Sequence, residues 1–333
     1  MNTQIMPVTP SSLRAARELV GRGELVAFHT ETVYGLGADA FSDEAVQKIF
    51  ALKGRPANNP LIVHVHRGYD IGGLVDGAPA YTEKLRKAFL PGPLTMVYPS
   101  TGKVSRFVSC GLDTLAIRVP SSEAAQAFLR EVNIPIAAPS ANRSKHVSPV
   151  TAEHVYDDFN GELALILDGG ACSGGIESTV LDCTGKIPVI LRAGLVTREM
   201  IASVAGDCGV YVPQTGEQPK SPGMAYQHYT PRCRTAYFLK EDLELALRAY
   251  QAEEAGGGTP CILAEEGIVP AGFRGLSLGK SGEDMANRLY ALLRLAERQS
   301  TLLIAIEPTL SGGVMDGVMN RLTRAFGRVG NET

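Results

Sequence analysis

Lys53-Gly-Arg-Pro-Ala-Asn-Asn-Pro-Leu-Ile-Val-His-Val65 joins three unlike pieces in a short span. A helical pattern ends at Gly54, with Lys53 and Arg55 on either side of the stop. Pro56 and Pro60 hold the chain extended across Asn58 and Asn59. Leu61, Ile62, Val63 and Val65 then read as a buried strand with His64 inside it. Two cations on a proline-stiffened loop that feeds a core strand predict a rigid ledge for an anion. A solvated helix end, with a lysine favoured by the helix dipole, would use the same residues. The rest of the chain separates the two readings.

Upstream, Ser11 or Ser12 can cap a helix that Gly23 closes, and Leu25–Phe28 is a short strand. It runs into the turn-rich stretch from His29 to Ala38, with Thr30, Glu31, Thr32 and Tyr34 followed by two glycines, Gly35 and Gly37. Ser42 caps the next helix, whose apolar face ends at Lys53. Downstream, an amphipathic helix from Tyr81 to Phe89 stops at Pro91 and leads into strand Leu94–Tyr98. Thr114–Val119 alternates as a strand with Arg118 near its C-terminal end. Ser121 caps a helix from Glu123 to Val132. Strands follow at Ile134–Ala138, Leu165–Leu167, Ser178–Asp182 and Pro188–Leu191, with a last helix opened by Thr197. Strand, polar loop and helix in alternation predict an α/β domain whose loops at strand ends carry the ligands.

Residues 1–206 thus form one expected domain. Residues 207–234 read as a linker, Pro- and Gly-rich in its first half, with Tyr226, His228 and Tyr229 clustered in its second. That clustering suggests a linker that docks on the active site. Residues 235–333 repeat the α/β pattern on a smaller scale: strands at Ala236–Leu239, Cys261–Ala264 and Leu302–Ile306, helices Leu243–Glu254 and Asp316–Phe326, and one capped by Ser281 with Asp284.

The 333 residues give room for two cores. A formal net charge of -3 argues against a generic nucleic-acid coat. No apolar run approaches the ~20 residues of a membrane span, and the N-terminus lacks a basic start and an apolar core, so no signal peptide is expected. Six scattered cysteines without a C-x-x-C pair suggest neither a zinc site nor a disulfide scaffold, and fit a reduced cytoplasm.

Cations able to meet phosphate are Lys53, Arg55, Arg118, Arg143 and Arg192, all near predicted element ends. Hydroxyl and amide groups cluster at Thr30–Tyr34, Ser140–Asn142 and Glu177–Thr179. No standard nucleotide loop occurs, and no metal-ligand spacing, nucleophile elbow or Ser-His-Asp pattern. The residues therefore describe a pocket for an anion and a small polar substrate, without a covalent catalyst.

Thr30–Ala38, Lys53–Pro56 with Asn59–Ile62, Pro91–Thr95, Pro139–Asn142 and Glu177–Val180, in this order, closely resemble the YrdC-type threonylcarbamoyl-AMP synthases. Ser221–Met224 with His228 and Tyr229, and the ending Gly317–Ala325, resemble the longer, two-domain form of that family. The resemblance implies a twisted mixed sheet with helices on both faces, plus a smaller Rossmann-like α/β domain. It implies ATP-dependent joining of L-threonine and bicarbonate or CO2 into threonylcarbamoyl-AMP, with Mg2+ on the phosphates and release of pyrophosphate. A separate threonylcarbamoyl transferase would pass the group to the adenosine beside the anticodon of tRNA. The family's Lys-x-Arg and Ser-x-Asn signature falls on Lys53, Arg55, Ser140 and Asn142. Thr32, His64, Arg118, Ala138 and Ser178 would hold threonine. Arg55, Asn59, Thr114, Ser140, Ser148, Arg192 and Tyr229 would meet ATP. His29 stands where the family usually has proline, and Ala225 and Gln227 replace residues that are commonly basic. A double-stranded-RNA or tRNA-binding module would use the same cations without the threonine pocket. A carbamoyl-transfer enzyme of hydrogenase maturation would need further modules that the chain lacks.

Overall fold

The computed structural model describes residues 2–212 and 228–327. The chain falls into two compact units, Met1–Ser144 with Ser148–Tyr226, and Lys145–Val147 with Gln227–Thr333.

In the first unit the described elements run β1 (Gln4–Pro7), α1 (Pro10–Gly21), β2 (Val26–Phe28), β3 (Gly35–Asp39), α2 (Asp43–Lys53), β4 (Ile62–His64), α3 (Tyr81–Phe89), β5 (Leu94–Pro99) and α4 (Arg106–Ser109). They continue with β6 (Thr114–Arg118), α5 (Glu123–Val132), β7 (Ile136–Ala138), α6 (Ala152–Phe159), β8 (Leu165–Asp168), β9 (Thr179–Asp182), β10 (Val189–Arg192), α7 (Arg198–Ala205) and β11 (Gly209–Val210). Among the described residues these strands make one mixed sheet in the order β1-β8-β2-β3-β7-β4-β6-β5-β9-β10-β11.

Local chemistry sets the element ends. Ser42 caps α2 through Ala45 N, and Gly54 closes it in the left-handed region. The cap of α1 is Thr9, not Ser11 or Ser12. Pro10 at the first helical position has no N–H to satisfy, so the helix starts two or three residues earlier, and Ser12 answers Thr9 in a capping box. Likewise Ser122, not Ser121, caps α5.

The stretch Gly35–Asp39 is a strand where the sequence reads as a turn. Its two glycines disfavour a strand locally, but pairing on both sides imposes one, with β2 and with β7. Gly37 is required there, because a Cβ would sit 2.8 Å from Ile136 Cγ2. At the β8-β2-β7 end, one face of the sheet packs on α1 and α5 through Val26, Phe28, Phe128, Leu129, Ile136 and Leu165. The same face, beyond those helices, carries the candidate site.

The second unit holds β12 (Arg234–Phe238), α8 (Leu243–Ala255), β13 (Pro260–Ala264), β14 (Gly275–Ser277), α9 (Gly282–Gln299), β15 (Leu302–Ile306) and α10 (Val314–Phe326). Its described strands pair all-parallel in the order β12-β15-β13-β14. Ser281 and Asp284 form the expected capping box of α9. No helix of the described residues is long and apolar enough to cross a membrane.

Candidate active site

The pairing register of the first unit gathers most of the expected residues. His64 on β4 lies opposite Arg118 on β6 and Ile136 on β7. Arg118 lies opposite Thr95 on β5, Thr95 opposite Val180 on β9, and Val180 opposite Arg192 on β10. Residues directly opposite share a face, so His64, Arg118, Thr95 and Arg192 stand in one row across the sheet. From His64 to Arg192 the row spans ~19 Å, four inter-strand steps of ~4.8 Å. The next row on this face is apolar from Ile62 through Ala116 to Val97 and ends at Asp182 on β9. Ile62, Ala116, Val97 and Leu191 cluster with Val180, and Tyr211 packs against them. A bulge between Ile190 and Arg192 brings Leu191 and Arg192 to the same side.

Ser178 closes one side of the row. Its hydroxyl lies 2.8 Å from Thr95 Oγ1, and Arg192 Nη2 donates to its carbonyl at 3.0 Å. Gly194 makes this approach possible, because a Cβ there would meet Thr179 N at 2.5 Å and Glu177 O at 2.8 Å. Glu177 accepts from Ser148 Oγ at 2.6 Å, which brings Ser148 beside Ser178.

Arg118 is held by a carboxylate that received no role in the sequence reading. Its Nη2 donates to Glu31 Oε1 at 2.7 Å, and Ser121 N donates to Glu31 Oε2 at 3.1 Å. Both side chains of the pair are buried, at 4% and 11% exposure. Nε of Arg118 has no partner among the described residues, so the guanidinium keeps an unused donor. Thr32 sits in the same loop, with Thr30 Oγ1 2.9 Å from its hydroxyl. His64 is buried and its Nδ1 donates to Ile62 O at 3.1 Å. Burial, reinforced by the charge of Arg118, pushes its pKa down to about 3, so the ring is neutral near pH 7.

The signature residues form a second group. Lys53 is not an outward cation on a ledge. It is 3% exposed, and its ammonium donates to Ser140 O at 2.6 Å and to Asn142 O. Ser140 Oγ donates to Asn142 Oδ1 at 2.6 Å. The loop is fixed from the other side by Ala141 N on Tyr34 O and by a bridge from Ser140 to Gly35. Ala138 precedes it on β7, opposite Ile62. Arg55 folds over its own turn, with Nε on Asn59 O at 3.1 Å and Nη2 on Pro60 O at 3.0 Å. Asn59 is buried, yet its Oδ1 has no partner. Thr114 begins β6, four residues and ~13 Å before Arg118.

Other expectations resolve differently. Arg143, counted among the phosphate-meeting cations, donates to Leu52 O at 2.6 Å and Asp158 O at 3.2 Å, pairs with Glu162 and lies over the Phe159 ring. It pins α2 to α6. His29, the departure from the family pattern, is buried with Nδ1 2.6 Å from Ser122 Oγ, so it ties β2 to the cap of α5. Burial lowers its pKa. Tyr229 belongs to the second unit, 5% exposed, with its ring 5.3 Å from that of Tyr290. Ser221–Gln227 of the expected docking linker lie outside the described residues. Among those described, no three His, Cys, Asp or Glu side chains lie together as metal ligands would.

Residues 18–194 match the family model described as Telomere recombination, and residues 196–327 match the one described as Threonylcarbamoyl-AMP synthase, C-terminal domain. The curated threonylcarbamoyl-AMP synthase of Bacillus subtilis is 40% identical, over 98% of this chain and 96% of its own. The chain belongs to the threonylcarbamoyl-AMP synthase family. It has that family's two-domain form. A second threonylcarbamoyl-AMP synthase, from Pyrococcus abyssi, is 38% identical over 95% of this chain and 94% of its own. The crystal structure of P. abyssi Sua5 complexed with L-threonine superposes with a TM-score of 0.89, at 35% identity, covering 98% of this chain and 97% of that one.

Proposed function

We propose that this protein makes L-threonylcarbamoyl-AMP from L-threonine, bicarbonate or CO2, and ATP, releasing pyrophosphate. The observation that carries the reading is the row His64–Arg118–Thr95–Arg192 with Ser178, a polar strip on an apolar sheet face in a chain of this family. The relative crystallised with L-threonine supports the choice of amino acid.

In this reading threonine lies over Thr32, His64, Arg118, Ala138 and Ser178. Arg118 has a donor at Nε for the carboxylate, while Glu31 holds Nη2 of the same guanidinium. His64 is neutral and adds no second charge. Threonine's amine and CO2 form a carbamate, whose oxygen attacks the α-phosphorus of ATP as the bond to pyrophosphate breaks. The carbamate is already anionic, so no side chain need act as a nucleophile. The protein's part is position and charge. ATP would lie towards Arg55, Asn59, Thr114, Ser140, Ser148 and Arg192. Lys53 and Asn142 keep the Ser140 loop in shape. Since the chain offers no carboxylate cage here, Mg2+ would arrive on the phosphates and neutralise them.

Lys53, Arg118 and Arg192 are each less than a tenth exposed and bonded inward, an arrangement unsuited to gripping an RNA duplex. The product would pass to a threonylcarbamoyl transferase acting on tRNA beside the anticodon. Incubation with ATP, bicarbonate and Mg2+ tests the reading: pyrophosphate and the adenylate should form only when threonine is present.

A further inference from the structure

Lys145–Val147 belong to the second unit, although they come from the loop that joins Asn142 to Ser148. Within that unit they are held at three successive points. Thr230 N donates to Lys145 O at 2.9 Å. His146 Nε2 lies 2.8 Å from Glu297 Oε2, and Arg294 Nη2 donates to Val147 O at 2.5 Å. Glu297, on α9, is itself fixed, since Oε2 also accepts from Arg232 N at 3.1 Å and Oε1 lies 3.9 Å from Arg294 Nη1. The groups are buried, with His146, Glu297 and Arg294 side chains 8%, 6% and 1% exposed. Lys145 has φ 70°, a left-handed conformation that a non-glycine residue keeps only where its surroundings hold it.

We propose that this clasp is a positioning device for the loop from Asn142 to Ser148 at the nucleotide end of the site. The inference rests on the nucleotide-binding assignment of Ser140 and Ser148. Only three residues separate Ser144, bonded to Lys53 O, from Ser148, bonded to Glu177. Fixing the middle of so short a loop fixes both of its ends. His146 and Glu297 would touch no substrate. Releasing them would let Ser140 and Ser148 drift, and a ~1 Å misplacement can lower turnover ~100-fold.

The test compares the full-length protein with His146→Ala, His146→Gln, Glu297→Gln and the double variant His146→Ala/Glu297→Gln. His146→Ala should raise the KM for ATP or lower kcat by about tenfold. His146→Gln, which can still donate to Glu297, should recover most of that. The double variant should be no worse than His146→Ala, because the two side chains act as one unit. Glu266→Ala, which breaks a surface pair with Lys280 elsewhere in the unit, should change nothing. A second readout does not depend on activity: backbone amides 139–148 should exchange hydrogen faster in His146→Ala, with β5 unchanged. Wild-type kinetics and wild-type exchange in His146→Ala would overturn the proposal, as would losses that multiply in the double variant. If the wild type makes no adenylate, the functional reading fails and the exchange measurement alone decides the clasp.

Discussion

Lys53 Nζ donates to Ser140 O at 2.6 Å, tying the end of α2 to a loop 87 residues further along the chain. The signature lysine therefore shapes the serine loop from within. Lys53→Ala should lower activity at least ~10-fold and also lower stability by about 2–3 kcal/mol, since buried carbonyls lose their donor. Arg55→Ala should lower activity by a similar factor with a smaller stability change, because Arg55 is only partly buried. Melting curves alongside pyrophosphate release check both. A normal melt for Lys53→Ala would return that residue to the role of an outward phosphate ligand.

Arg118→Lys keeps a charge beside Glu31 but loses the planar fork. The KM for threonine should rise about 10-fold or more, the equivalent of one charge-assisted hydrogen bond of ~1.5–3 kcal/mol. The KM for ATP should change much less. Equal changes in both constants would argue against Arg118 as the carboxylate's partner.

The buried ring of His64 gives a pH signature. Its native pKa of about 3 lies below the ordinary 6.5. As pH falls below 6.5, the unfolded chain binds a proton that the native state refuses until about pH 3, so stability drops with acidity. Between pH 7 and pH 5 the wild type should lose about 2 kcal/mol more than His64→Asn, whose amide can still donate to Ile62 O. Denaturant titrations of both proteins at the two pH values measure this. Equal losses would mean that the ring is not held neutral.

Gly194→Ala should be severe for a loop change, because the position is buried and the new methyl would meet backbone at Thr179, Glu177 and Ser178 rather than a side chain able to turn aside. A loss of about 2–4 kcal/mol is expected, with activity falling further as Ser178 shifts. A variant with wild-type melting and turnover would contradict the packing around Ser178.

Helices were the legible part of the sequence. α2, α3 and α5 could be read almost to the residue, because their apolar period agrees with their tertiary setting and, for α2, the Ser42 cap and Gly54 stop do too. α6 was missed although Thr151 caps it and Val155 and Phe159 are spaced along one face. β3 was unreadable in principle from Gly35-Leu-Gly37, since partners on both sides create the strand. Candidate site residues could be named in the sequence only through the family resemblance. Their meeting in one row was not legible, because register depends on pairings among β4, β6, β5, β9 and β10 across more than a hundred residues of chain. For the same reason Glu31 went unassigned. Nothing local marks the carboxylate in Thr30-Glu31-Thr32 as the partner of an arginine 87 positions away.

The most direct test is to incubate the purified protein with α-labelled ATP, L-threonine, bicarbonate and Mg2+, and to follow pyrophosphate and the labelled nucleotide products. The predicted result is threonylcarbamoyl-AMP and pyrophosphate in equal amounts, with neither formed when threonine is omitted. Release of orthophosphate alone, or pyrophosphate at the same rate without threonine, would contradict the assignment of the sheet-face row as a threonine-dependent adenylate site.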